Sequence, residues 1–186
     1  MEQEGPRRQP RVAIVVGSDS DLPLVREAYN LLCDCGVACD LRVASAHRTP
    51  EEVAAFARSA TDQGVEVIIA CAGLAAHLPG VIAAHTTLPV IGIPRVAGGL
   101  GGMDALLSIV QMPPGIPVAC VGLDAARNAA ILALSILALH HPSLRERLQQ
   151  LRAEQAEGVR RKDARLNEMG LDRYLAEAGG KRGDGK

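Results

Sequence analysis

The chain of 186 residues is long enough to fold as one domain of ordinary size with a substantial hydrophobic core. Its 20 basic and 21 acidic residues leave a net charge of -1, which excludes the strong positive field of proteins that bind nucleic acids or anionic membranes. Aromatic residues make up 2% of the chain, so stacking surfaces for bases or a flavin ring are scarce. We therefore expect a small-molecule ligand in a local site, with neither nucleic acid nor a membrane as a partner.

The five cysteines and the polar, charged first ten residues favour a reducing cytoplasm. Cys33, Cys35 and Cys39 lie close together, but no second Cys or His cluster accompanies them at zinc-ligand spacing. The longest apolar run, residues 129–139, is shorter than the roughly 20 residues needed to cross a bilayer. The sequence thus predicts a cytoplasmic protein with no metal site and no transmembrane segment.

Apolar runs alternate with helical patterns five times, which is typical of βα units wound on a parallel sheet. Near-continuous Val and Ile runs indicate strands covered by helices on both faces, so the expected α/β fold is a three-layer sandwich. The absence of a second mononucleotide-binding half favours the flavodoxin-like, doubly wound order 2-1-3-4-5. The predicted strands and helices alternate as Val12–Val16, Leu22–Cys33, Cys39–Val43, Pro50–Gln63, Val65–Cys71, Leu78–His85, Pro89–Ile93, Met103–Met112, Pro117–Val121 and Asp124–Leu139.

The later part of the chain predicts contacts beyond one protomer. The last helix of the sheet is apolar nearly all round after Asn128, and such a helix must be covered on every side. After Pro142 the chain is charged, with leucines 144, 148 and 151 on one helical stripe, so we expect a helical extension that packs on a neighbouring subunit. The expected segments are a disordered tail (1–9), an α/β domain that carries the site (10–141), the helical extension (142–176) and a second disordered tail (177–186).

Unusual polar clusters follow the predicted strands, and in a doubly wound sheet ligands bind at this carboxyl edge. After strand one, residues 17–21 place two hydroxyl groups at a helix N-terminus, where free N–H groups and the helix dipole favour an anion such as phosphate. The alternative is that Ser18, Ser20 or Asp21 only caps the helix.

Two histidines follow the next two strands. His47 is followed by Arg48, which offers a bidentate fork for phosphate, while the imidazole can transfer protons near neutral pH. His77 lies at or just before a helix start, where its ring could line the same pocket. Taken alone, each of these residues also fits a capping, core or surface role.

Further candidates are less specific. Residues 98–102 are rich in glycine but lack the context of a dinucleotide fingerprint, so we interpret them as a mobile cover. Arg95 and Arg127 are possible anion contacts.

Four motifs occur in a fixed order: Gly-Ser-Asp-Ser-Asp, Ser-Ala-His-Arg-Thr-Pro, Ala-Ala-His-Leu-Pro-Gly and Ser-Ile-Val-Gln-Met-Pro-Pro-Gly-Ile-Pro-Val. Together they resemble the class I N5-carboxyaminoimidazole ribonucleotide mutases over residues 11–155. Arg48 favours the mutase class, since related carboxylases that use free carbon dioxide carry Lys after the matching His. The resemblance implies a flavodoxin-like sheet, a homo-octamer with active sites at subunit contacts, and no metal or organic cofactor.

The resemblance also implies an activity in de novo purine (IMP) biosynthesis. The carboxylate would leave the exocyclic nitrogen as trapped carbon dioxide and return to ring carbon four, with His47 as the acid and base. Ser18, Asp21 and Arg48 would hold the ribose phosphate portion. The full set of expected substrate-binding residues is Ser18, Ser20, Asp21, Arg48, Gly73, His77 and Leu78.

Two departures from the family pattern keep alternatives open. Leu74 stands where the family usually has Gly, and residues 98–102 replace a segment richer in Ala and Ser. A carboxylase that uses free carbon dioxide on aminoimidazole ribonucleotide, or on another heterocyclic nucleotide, is one alternative. A non-catalytic, flavodoxin-like nucleotide-binding module is another, because fold alone does not fix function.

Overall fold

The computed structural model describes residues 9–179, so most of the two expected tails, 1–9 and 177–186, lies outside the described part of the chain. Its centre is a five-stranded parallel sheet of order β2-β1-β3-β4-β5. The α/β fold class and the strand order expected from the sequence are therefore confirmed. The strands are β1 (Arg11–Val16), β2 (Ala38–Val43), β3 (Val67–Gly73), β4 (Val90–Arg95) and β5 (Ala119–Cys120).

Helices cover both faces of the sheet. The first and fifth helices pack together on one face, and the second, third and fourth pack on the other around a cluster that includes Val15, Phe56 and Ile109. The strands β1, β3 and β4 are buried almost throughout, as continuous apolar runs predict. The helices are α1 (Leu22–Asp34), α2 (Pro50–Ser59), α3 (Leu78–Ala84), α4 (Met103–Val110), α5 (Ala126–Leu137), α6 (Pro142–Met169) and α7 (Leu171–Gly179), and a 3-10 turn (Asp19–Asp21) precedes α1.

One glycine allows α4 to approach the sheet closely. A Cβ atom on Gly92, in the middle of β4, would lie 2.4 Å from Cγ2 of the fully buried Ile109. Only a residue without a side chain therefore fits beneath this helix.

Several element boundaries differ from the expected ones for local reasons. The strand β5 has two residues rather than the predicted Pro117–Val121, since Pro117 has no N–H to pair. The helix α5 begins at Ala126 rather than Asp124, because Asp124 has a left-handed φ of 52°. The helix α2 ends at Ser59 rather than Gln63. Turns follow the helix over residues 60–64, and Gly64 has a left-handed φ of 80°.

The described part of the chain divides into two compact units, with the boundary between Arg145 and Glu146. Within the described part of the second unit, α6 is highly charged and carries ion pairs such as Arg147–Glu154 at 3.2 Å. It ends before Gly170, which has a φ of 75°, and α7 continues to Gly179, beyond the expected boundary at residue 176. No helix in residues 9–179 is long and apolar enough to cross a membrane.

Candidate active site

Loops that follow four neighbouring strands surround one pocket of about 430 Å³ at the carboxyl edge of the sheet. All eight candidate residues from the sequence lie on its wall, so the structure brings together side chains that are far apart in the chain. Their individual roles stay predictions. The wall consists of Gly17, Ser18, Ser20, Asp21, Ser45, Ala46, His47, Arg48, Ala72, Gly73, Leu74, Ala75, His77, Leu78, Arg95 and Ala97.

The loop after β1 presents two hydroxyl groups and a carboxylate. The Ser18 Oγ atom accepts hydrogen bonds from the Ser20 N–H at 3.3 Å and from the Ser20 hydroxyl at 2.9 Å. Ser18 thus caps the 3-10 turn, which agrees with the capping alternative for that residue. Asp21 is the N-cap residue of α1 but makes no side-chain capping bond, so its carboxylate is available for another role.

Asp21 is buried, with 8% of its surface exposed. Its Oδ1 atom lies 3.5 Å from Nε of Arg95, at the end of β4. Burial raises the pKa of Asp21 above its ordinary value, while the charge and hydrogen bond of Arg95 oppose that rise. The pocket therefore contains a carboxylate whose ionisation depends on a neighbouring cation.

The loop after β2 is a rigid turn that positions His47 and Arg48. The Thr49 N–H donates to the Ser45 carbonyl oxygen at 2.7 Å, and the Ser45 N–H donates to the Thr49 hydroxyl oxygen at 3.1 Å. Pro50 then begins α2, where its fixed φ suits the first helical turn. Within residues 9–179 the Arg48 guanidinium has no ion pair, so it remains available to an anion.

The loop after β3 brings a second histidine against the first. The ring centroids of His47 and His77 lie 4.0 Å apart with an angle of 52° between the planes. Loss of water around the ring, and then the nearness of His47, lower the pKa of His77 below its ordinary value. The neutral form of His77 therefore predominates at neutral pH.

Leu74 lies in the same loop with a left-handed φ of 56°, which explains why glycine suits this position. Its side chain extends toward the glycine-rich loop, because a Cβ atom on Gly98 would lie 2.7 Å from Leu74 Cδ2. Ala97 borders the pocket, whereas residues 98–102 do not form its wall. The role of residues 98–102 as a cover therefore stays a prediction, and Leu74 lies between the pocket and Gly98.

Arg95 and Arg127 were both predicted as possible anion contacts, and the structure separates them. Arg95 lines the pocket between two carboxylates, whereas Arg127 lies 3.5 Å from Glu27 and away from the pocket wall. Position at the carboxyl end of a strand was the signal that could have distinguished Arg95. Ser45 also lines the pocket and was not singled out.

The sequence profile of the AIR carboxylase family matches residues 11–158. The chain belongs to the AIR carboxylase family. The family expected from the four motifs is therefore confirmed.

Similar proteins of this family match over most of their length. The N5-carboxyaminoimidazole ribonucleotide mutase of Pyrococcus horikoshii is 52% identical over 169 residues, which cover 91% of this chain and 96% of that protein. The N5-carboxyaminoimidazole ribonucleotide mutase of Thermotoga maritima is 46% identical over 166 residues, which cover 89% of this chain and 97% of that protein. The crystal structure of Treponema denticola PurE superposes on this chain with a TM-score of 0.76, at 26% sequence identity. The superposition covers 85% of this chain and 99% of the Treponema denticola chain.

Proposed function

We propose that the protein is an N5-carboxyaminoimidazole ribonucleotide mutase. This isomerase moves a carboxylate from the exocyclic nitrogen to ring carbon four and yields 4-carboxy-5-aminoimidazole ribonucleotide for purine biosynthesis. The observation that carries the proposal is one pocket that joins the neighbouring rings of His47 and His77 to Arg48, which has no ion pair within residues 9–179, and to the start of α1. The names of the similar mutases support it, and it agrees with the activity expected from the sequence.

One side of the pocket suits the ribose phosphate. Arg48 supplies a guanidinium fork, and the hydroxyl groups of Ser18 and Ser20 lie at the start of the 3-10 turn. Charge-assisted hydrogen bonds of this kind are the strong contacts for phosphate oxygens. The carboxylate of Asp21 can accept hydrogen bonds from ribose hydroxyl groups.

The other side suits the proton transfers, with His47 in the central role. As the carbon–nitrogen bond breaks, its electron pair stays on nitrogen, and the His47 imidazolium donates a proton there. Ring carbon four then attacks the released carbon dioxide and passes its own proton back to the neutral imidazole. No external reagent is consumed, as an isomerisation requires. His77, with its lowered pKa, is the poorer donor.

Apolar groups complete the pocket near the histidines. Ala72, Leu74, Ala75 and Leu78 lie on the wall together with both rings. Carbon dioxide carries no net charge and makes weak hydrogen bonds, so an apolar wall suits its retention until recarboxylation. We assign Gly73 to the close approach of the strand ends, because a Cβ atom there would lie 3.2 Å from Ala97 Cβ.

We further propose that the protein is a cytoplasmic homo-octamer. Large apolar side chains around α4 are between 36% and 67% exposed in a single chain, more than a monomer usually leaves in one region. These side chains are Val96, Leu100, Met103, Leu107, Val110 and Leu123.

The helical extension is proposed to pack on a neighbouring subunit. Leu144 and Leu151 are only 3% and 7% exposed, so these parts of the expected leucine stripe are already covered in one chain. Val159, Leu171 and Leu175 remain exposed and are available for a neighbour. Light scattering should give a mass near eight times 19.5 kDa, and a stable monomer at micromolar concentration would contradict the proposal.

Two parallel incubations test the function. The first supplies the carbamate nucleotide without bicarbonate, and the second supplies aminoimidazole ribonucleotide with bicarbonate. If the protein is a mutase, it forms the carbon-four carboxylate in the first incubation, at a rate higher than that of a His47→Asn control. Product in the second incubation alone would favour the carboxylase, and product in neither would favour the non-catalytic nucleotide-binding module.

A further inference from the structure

Arg95 joins two carboxylates that come from different loops. Its Nε atom lies 3.5 Å from Asp21 Oδ1, after β1, and its Nη1 atom lies 3.4 Å from both carboxylate oxygens of Asp124, after β5. The three side chains form an ion-pair network across the carboxyl ends of β1, β4 and β5. The proposed reaction does not yet assign a role to Arg95 or Asp124.

Asp124 is built into the backbone around Arg95. Its Oδ1 atom accepts a hydrogen bond from the Val96 N–H at 2.9 Å, and its own N–H donates to the Pro94 carbonyl oxygen at 2.9 Å. Its φ of 52° lies in the left-handed region, which costs energy for any residue other than glycine. These contacts hold the end of β4, and with it the Arg95 head group, in one position.

Asp21 is the residue that needs such a partner. Among the described residues it is the one charged side chain that is buried, and its carboxylate meets the pocket. The other groups that interact with it are the hydroxyl of Ser20, the backbone of Ser18 and the thiol of Cys71. Burial raises the pKa of Cys71 to about 12, so this thiol is neutral. Arg95 is thus the cation on which the charge of Asp21 depends.

We propose that Arg95 is a positioning residue that holds Asp21 ionised and directed into the pocket, with Asp124 fixing Arg95 in turn. The proposal rests on the proposed function, in which Asp21 binds the ribose hydroxyl groups of the substrate. Arg95 itself acts through Asp21 and makes no contact with the reacting atoms. The ion pair between Asp21 and Arg95 therefore sets the pH range in which the nucleotide binds.

The test compares Arg95→Gln with the wild-type enzyme across pH 5.5 to 8.5. Without Arg95, only the hydrogen bonds from Ser20 and from the Ser18 backbone oppose the effect of burial, so the pKa of Asp21 rises and the acid limb of kcat/KM moves to higher pH. We expect KM at pH 6 to rise roughly tenfold, kcat to stay within about twofold, and KM at pH 8.5 to return toward the wild-type value. Arg95→Lys keeps the cation and should leave the acid limb near its wild-type position.

Two controls separate this role from others. Arg127→Gln removes the same charge from an arginine outside the pocket and should change neither KM nor its pH dependence. In an Asp21→Asn background, Arg95→Gln should add almost nothing, because the residue through which it acts is already neutral.

Specific outcomes would overturn the inference. A loss that is equal at pH 6 and pH 8.5, or that persists in the Asp21→Asn background, would mean that Arg95 binds the substrate directly. If Arg95→Gln fails to fold by circular dichroism, a shifted acid limb in the folded Arg95→Lys variant would contradict the proposal. Failure of the proposed function is distinct, because the wild-type protein would then show no mutase turnover at any pH.

Discussion

The two edges of the sheet differ in whether the described structure leaves cationic and titratable side chains without a charged partner. Near the amino edge, where the strands begin, charged side chains form local pairs: Arg11 Nη1 lies 3.1 Å from Asp40, and His141 Nε2 lies 2.8 Å from Glu66. At the carboxyl edge, Arg48 has no ion pair among residues 9–179, and two histidine rings lie side by side. Cationic and titratable groups that are left available mark the edge where an anionic substrate binds.

The edges also differ in backbone strain. Left-handed positions before β2, β3 and β5, at the amino edge, are the glycines 36, 64 and 115. The two non-glycine residues with positive φ in the described chain, Leu74 and Asp124, both lie at the carboxyl edge. Such a conformation costs roughly 1–2 kcal/mol for an ordinary residue, so it persists where the surrounding structure holds it and tends to occur at functional sites.

The largest expected difference between the two edges is in KM, when one arginine is removed at each edge. Arg48→Ala should raise KM roughly tenfold to a hundredfold, which corresponds to about 1.5–3 kcal/mol for a charge-assisted contact to phosphate. Arg48→Lys should recover only part of this loss, since it lacks the fork. Arg11→Ala removes the same charge at the amino edge and should leave KM unchanged. Equal binding of a nucleotide monophosphate by wild-type and Arg48→Ala proteins, measured by calorimetry, would show that Arg48 faces elsewhere.

A smaller effect should reveal the strain at Leu74. Leu74→Val places a β-branched residue at a φ of 56°, where such residues are rarer still than leucine, and should lower the free energy of unfolding below that of the wild type. Leu74→Asn, which tolerates this conformation, should remain within about 0.5 kcal/mol of the wild type.

Urea denaturation measures both variants, and Leu41→Val is the matched control. Leu41 is also exposed, at 45%, but lies in the extended strand β2, where valine is favoured. If Leu74→Val and Leu41→Val changed the free energy of unfolding by the same amount, the left-handed backbone at Leu74 would not be a source of strain.

The same comparison shows what sequence patterns can predict. Continuous apolar runs predicted the buried strands, and the lack of a second mononucleotide-binding half predicted their order. The rule that ligands bind beyond strand ends predicted that His47, Arg48 and His77 lie close together, and the structure places them on the wall of one pocket. The Arg95–Asp124 pair could not be predicted, because it joins two loops whose geometry has no periodicity. The left-handed backbone of Asp124 excludes the helix start that was predicted at this residue.

The central claim is that His47, and not His77, transfers the protons. The two rings lie 4.0 Å apart, and the surroundings of His77 lower its pKa, which disfavours its donor form. Turnover of the carbamate nucleotide is therefore measured for His47→Asn and His77→Asn, with folding verified by circular dichroism. We expect His47→Asn to lose at least about 10²-fold in kcat while still binding the substrate, and His77→Asn to lose much less. Near-normal turnover of His47→Asn together with an inactive His77→Asn would contradict the account.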